Sequence, residues 1–118
     1  KYFSMEDVIA DNSSSSHFVV GEWVTDFADL DFKNLEMEMS VNDNIVQKGI
    51  SSDISGDPVV SVIQLCELLS QRDTYLKGGS IVLAGAATAA VQLEPGMQIK
   101  LEVTDLPSVS VKTAGKAP

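Results

Sequence analysis

A chain of 118 residues holds at most one domain with a modest core. Its net charge of −9, from 17 acidic and 8 basic residues, repels phosphate backbones and anionic bilayers, which argues against nonspecific nucleic-acid or membrane binding. No apolar run approaches the roughly 20 residues that span a bilayer. The single cysteine, Cys66, cannot close an internal disulfide, so a reducing cytoplasm is the simplest setting. The same acidity makes an anionic substrate hard to hold unless a cation or a partner chain supplies positive charge. The chain opens on Lys1-Tyr2-Phe3 and reads as a processed or truncated piece.

Taken in order, Ser4 followed by Asp7 marks the start of a short helix with Val8, Ile9 and Ala10 on its apolar side. Asp11-Asn12-Ser13-Ser14-Ser15-Ser16 breaks regular structure, because these short side chains compete for backbone hydrogen bonds. It is either a plain polar loop or a cluster of donors and acceptors around an oxyanion. Residues 17–24 have the β-branched and aromatic content of a strand. Their His17, the chain's only histidine, reads as structural or exposed rather than catalytic. Residues 26–34 read as an acidic surface loop with Leu30 and Phe32 pinned inward.

Strict alternation over residues 35–41, turn chemistry at Asn42-Asp43-Asn44 and a returning run from Ile45 to Gly49 predict a β-hairpin. Glu36 and Glu38 share one strand face, as metal ligands or, with no third ligand near, as its wet side. Asp57 as N-cap and Pro58 at the first helical position open the main helix. Val62, Leu65, Cys66 and Leu69 form its core-facing stripe, widened by Val59, Ile63 and Leu68, and Cys66 reads as a small buried apolar residue.

Residues 78–96 read as a buried strand, Ile81 to Leu83, that ends at Gly85 where the backbone comes close to a strand or a ligand. Thr88 is the one hydroxyl among the small residues that follow. Residues 97–103 alternate as a strand, Leu106-Pro107 interrupts, residues 108–112 form a last strand, and a frayed tail runs from Thr113 to Pro118. The inventory predicts an α+β fold, a mixed and mostly antiparallel sheet with one main packed helix.

Several blocks in one order carry a resemblance: Asp11-Asn12-Ser13-Ser14-Ser15, Phe18-Val19-Val20-Gly21, Met37-Glu38-Met39, Gly56-Asp57-Pro58, Leu76-Lys77 with Gly78 to Gly85, Thr88-Ala89-Ala90-Val91, Pro95-Gly96, and Leu106 to Ser110. Together, over nearly the whole chain, they resemble the C-terminal part of the 2-keto-4-pentenoate hydratase/4-oxalocrotonate decarboxylase family of the fumarylacetoacetate hydrolase-like superfamily. Residues 85–91 look more like the decarboxylase branch. Asp57 stands where the family usually has His, Pro107 where it has Gly, and Ser13 where it has Ala.

The resemblance implies a fumarylacetoacetate hydrolase-like sheet roll, with residues 1–118 as a single domain forming the C-terminal portion of a longer, cytoplasmic, homo-oligomeric enzyme. It implies Mg2+ or Mn2+ in the full-length protein, held by a Glu-x-Glu pair and a further carboxylate upstream of this chain, along with the catalytic lysine and aspartate. Glu36-x-Glu38 imitates that motif on the wrong side of the Asp-Asn-Ser block, so no metal ligand is assigned here. The implied substrate is a small 2-oxo dicarboxylic or 2-hydroxydienoic acid, with Asn12, Ser14, Gly85 and Thr88 as its binding residues. Decarboxylation is the expected chemistry, hydration the alternative, and the piece alone is expected to be inactive. A noncatalytic acidic α+β interaction module is the reading from a different class.

Overall fold

The structure, a computed structural model, describes residues 4–115, with the side chain of Ser14 outside the described set. Its frame is two antiparallel hairpins. Glu36–Val41 (β1) returns as Asn44–Ile50 (β2), and Gln98–Val103 (β3) returns as Leu106–Lys112 (β4). β1 also pairs antiparallel with β3, giving the order β2-β1-β3-β4. The Asn42-Asp43 turn takes left-handed φ values of 48° and 66°, the two-residue geometry that matches strand twist. Asn42 ties the hairpins together: its Oδ1 accepts from the Gln98 N–H at 2.9 Å, and its own N–H donates to the Gln98 carbonyl at 2.9 Å.

The expected α+β class holds, with antiparallel pairing throughout the sheet. Met5–Ala10 (α1) begins at Ser4 with a full capping box to Asp7, and Pro58–Ser70 (α2) begins at Asp57, whose carboxylate accepts from the Val59 N–H at 2.8 Å. The helices are where the sequence places them, but α2 is not covered. Val62, Leu65 and Leu69 are half-buried, while Val59, Ile63, Cys66 and Leu68 are exposed. Substantial packing between elements is confined to neighbouring strands and to α1 with the 3₁₀ turn that follows it. The buried stripe and buried Cys66 are therefore corrected: amphipathic spacing specifies a face, and no other helix or strand among the described residues packs substantially against it.

Two further strand expectations are corrected in the same way. Residues 17–24 and the run Ile81 to Leu83 carry no strand pairing. Their β-branched residues suit a strand, yet a strand exists only where a second backbone supplies hydrogen bonds. Phe18, Trp23, Ile81 and Leu83 are exposed. Phe32 is not pinned inward either; it meets Phe27, with ring centroids 6.3 Å apart, while Leu30 is half-buried. Leu106-Pro107 opens β4 instead of interrupting the sheet, which an edge strand permits because proline lacks only a donor there. Thr113 is clipped rather than frayed: its hydroxyl donates to the Glu94 carbonyl at 2.5 Å and accepts from the Met97 N–H at 2.7 Å. The rest of the expected frayed tail, beyond residue 115, and the opening Lys1-Tyr2-Phe3 lie outside the described residues.

The chain exposes 9490 Å², against about 6,200 Å² for a folded monomer of its size. Its radius of gyration is 16.4 Å, where about 13.5 Å is usual. Among the described residues only Leu35 and Ser51 are buried, at 7% and 1% exposure. They close the open end of the first hairpin. Ser51 N–H donates to the Leu35 carbonyl at 2.9 Å, and Leu35 N–H donates to Ser51 Oγ at 2.8 Å.

The pleat gives the sheet two unlike faces. Glu36 and Glu38 share one with their β2 partners Ile50 and Lys48; Met37 and Met39 share the other with Gly49 on β2 and with Val103 and Leu101 on β3. On the glutamate face Lys48 Nζ donates to Glu38 Oε1 at 2.6 Å, and that bond holds the ammonium above its ordinary pKa.

Ser51→Ala removes the acceptor of a buried N–H and is expected to destabilise the fold by about 1–3 kcal/mol, read as a lower urea midpoint with unchanged slope. Glu38→Gln, at an exposed pair, is expected to leave stability nearly unchanged. Because pairing raises the Lys48 pKa, any contribution is complete at neutral pH and fades as pH climbs through the folded-state lysine titration. A Glu38→Gln protein titrated between pH 7 and 11 checks both points.

Candidate functional site

Thr88 sits on a bend that crosses the methionine face of the sheet. The apolar run reaches Gly85, whose φ of 138° is a conformation that L side chains rarely adopt. A Cβ there would stand 3.1 Å from Ile54 Cγ2, so the chain passes close to the segment that leaves β2. Two residues on, Ala87 and Thr88 lie over Gly49. Thr88 is half-buried, and its hydroxyl donates to the neighbouring Ala89 carbonyl at 3.3 Å, a long bond that leaves the oxygen's acceptor side unengaged by it.

The Asp11 to Ser15 block forms a different corner. α1 ends there and the chain enters a 3₁₀ turn, Asn12–Ser14, with Asn12 and Ser13 in left-handed conformation at φ 51° and 53°. Asn12 Nδ2 donates to the Ser15 carbonyl at 3.1 Å, and Ser16 Oγ is 2.6 Å from His17 Nδ1. The hairpin turn at Asn42-Asp43 has the same consecutive left-handed geometry, so the pair marks a tight turn. The composition gave the turn, but no sequence signal announces the consecutive left-handed pair. The hydrogen bonds of Asn12 and Thr88 are both local, so neither bridges the two segments. The fourth candidate, Ser14, has only its backbone described.

A third feature was not singled out as a cavity by the sequence. An open trough of about 440 Å³ is lined by Glu36, Met37, Glu38, Lys48, Gly49, Ile50 and Asp53. Most of its side chains belong to the glutamate face, opposite the Thr88 bend. Three carboxylates line it, which raises the question of a divalent cation. The donor set does not fit one: Glu38 is taken by Lys48, and no group of three or more His, Cys, Asp or Glu among the described residues is placed to hold a metal. No helix among them is long and apolar enough to cross a membrane.

Comparison with known proteins gives this arrangement a lineage. Residues 1–113 match the family described as fumarylacetoacetate (FAA) hydrolase C-terminal. The chain is 46% identical over 114 residues to a 4-oxalocrotonate decarboxylase of Pseudomonas sp, covering 97% of this chain and 44% of that protein. It is 33% identical over 104 residues to 2-keto-4-pentenoate hydratase 1 of Dechloromonas aromatica (strain RCB), covering 88% of this chain and 40% of that one. A solved structure of 4-oxalocrotonate decarboxylase from Pseudomonas putida G7, complexed with magnesium and adipate, superposes with a TM-score of 0.81 at 34% identity, over 87% of this chain and 39% of its own. The chain thus spans less than half the length of these relatives. The order of blocks noted in the sequence, the antiparallel sheet with its one long helix and a match running to residue 113 have one explanation: the chain belongs to the fumarylacetoacetate hydrolase C-terminal family.

Proposed function

We propose that the full-length protein is a divalent-cation-dependent lyase acting on a 2-oxo dicarboxylic acid, with 4-oxalocrotonate (2-oxo-3-hexenedioate) as substrate and decarboxylation as the reaction. The observation that carries this reading is 46% identity to a 4-oxalocrotonate decarboxylase along 97% of the chain. Hydratase relatives at about a third identity support a second reading, in which a 2-hydroxydienoic acid takes up water. Product analysis separates them: carbon dioxide in one case, a hydroxylated 2-oxo acid in the other.

The reaction asks two things of a protein. When the distal carboxylate leaves as carbon dioxide, its electron pair is accepted through the conjugated keto group, so charge builds on the keto oxygen and needs stabilising. The carboxylate that stays must also be held still. Magnesium or manganese, bound by carboxylates outside this chain, supplies the positive charge that a surface of net −9 lacks. The residues of this chain supply orientation. The Asn12 carboxamide and the Ser14 hydroxyl contact the carboxylate or the groups around it, the Thr88 hydroxyl reaches the substrate, and Gly85 lets the main chain come close enough for that reach.

The half-buried Thr88 on its bend, with Gly85 at positive φ three residues before it, supports the last two of these roles. A single free thiol and no disulfide among the described residues suit the cytoplasm. The apolar surface left open by this chain suits association with the rest of the protein and with further copies in a homo-oligomer.

In the full-length protein Thr88→Val is expected to lower kcat/KM by roughly tenfold or more with stability retained; unchanged kinetics would remove Thr88 from the site. The purified 118-residue chain, assayed with 2-oxo-3-hexenedioate and magnesium, is expected to show no turnover, since on this reading the carboxylates and acid/base groups for the chemistry lie outside it. Clear turnover would place the whole machinery within these residues.

A further inference from the structure

Gly49 is a glycine in the interior of a strand, where glycine packs nothing and costs conformational entropy. Its backbone does not ask for glycine. Gly56, Gly79, Gly85 and Gly96 have positive φ, and Gly49 does not. The reason lies in space. A Cβ on Gly49, directed to the methionine face, would overlap the carbonyl oxygen of Ala87 and stand 3.0 Å from Thr88 Cγ2 and 3.1 Å from the Ala87 carbonyl carbon. The obstructing atoms are mostly main chain, which cannot swing aside as the end of a long side chain can. The bend therefore rests directly on β2 at Gly49, and it is fixed a second time at Gly85 against Ile54.

We propose that Gly49 is a positioning residue for the Thr88 hydroxyl. It touches no substrate; its missing side chain sets the height of the bend above the sheet, and so the depth to which the hydroxyl reaches. The inference rests on the reading of Thr88 as a substrate contact. A methyl group at Gly49 lifts Ala87 and Thr88 together by about the overlap, and a displacement of about 1 Å at a positioning group costs on the order of 100-fold in rate. Other substitutions on β2 that point to the glutamate face leave the bend where it is.

The test uses the full-length protein, magnesium and 2-oxo-3-hexenedioate, with Gly49→Ala, Thr88→Val, the double variant, and Gly78→Ala as control. Gly78 has ordinary φ and open space at its Cβ, so its variant is expected to match the parent. Gly49→Ala is expected to lower kcat/KM by about 10- to 100-fold in protein that still folds, with a lower melting temperature because main chain must shift. The loss is expected to vanish in the Thr88→Val background, because both changes act through one hydroxyl. Activity of Gly49→Ala within twofold of the parent, or losses that multiply in the double variant, would overturn the proposal.

If Thr88→Val alone leaves kinetics intact, the reading of Thr88 fails, and the positioning role fails with it. If Thr88→Val is impaired and Gly49→Ala is not, only the positioning role fails. Should Gly49→Ala not fold, Thr88→Ser carries the test, since it keeps the hydroxyl and removes the methyl that would lie 3.0 Å from a Cβ on Gly49. A threefold or larger drop in kcat/KM with unchanged stability supports the proposal, and parent-like kinetics overturn it.

Discussion

The exchange of hydrogen bonds between Leu35 and Ser51 is the contact on which the remaining geometry depends. β1 and β2 pair out to Glu36 and Ile50, and Leu35 with Ser51 is the next rung. The main chain cannot complete that rung, because Ser51 already turns into a 3₁₀ turn and its carbonyl accepts from Ile54 N–H at 3.0 Å. The Ser51 hydroxyl takes over as the acceptor for Leu35 N–H, in the one place where water is excluded from both groups. Pairing is thereby locked in register. A slip by one residue would turn Gly49 to the glutamate face and put a side chain under the Thr88 bend. A serine hydroxyl at the end of a hairpin thus governs the position of a threonine hydroxyl 37 residues further along the chain.

What was legible in the sequence follows the range of the forces involved. The first hairpin, both helix starts and the final pair of strands depend on neighbours within a few residues: turn geometry at Asn42-Asp43, a capping box at Ser4, Asp57 ahead of Pro58. All were visible. Residues 17–24 and 81–83 have strand composition, but pairing depends on a second backbone that composition cannot supply. The stripe on α2 is real as a pattern and uncovered in space, for the same reason. At the candidate site, Thr88 and Gly85 stood out as a hydroxyl and a break among small residues. Gly49 did not, because the need for it arises only when Ala87 is laid over it.

The energetic character of the chain is that of a half-built core. The sheet is well hydrogen-bonded, yet its surroundings leave Phe18, Trp23, Ile81 and Leu83 in contact with water, and the helix stands off. Hydrophobic burial is the main favourable term in folding, so a unit with two buried residues among those described draws its stability chiefly from backbone ladders. The chain spans less than half the length of the relatives it matches.

Pro107 has a bearing on how the sheet is kept from growing. β4 is an outer strand, and an outer strand presents a row of backbone groups on which another chain can crystallise, as in fibrils. Proline in such a strand is a residue with no hydrogen to give. Placed second in β4, beside a register shift between Leu101 and Val103, it makes the hairpin end the irregular part of that strand. A chain with so much bare apolar surface has good reason to carry such a stop: while the protein is being made, the same sheet that later seats the bend at Thr88 is a place where identical copies would otherwise zip together.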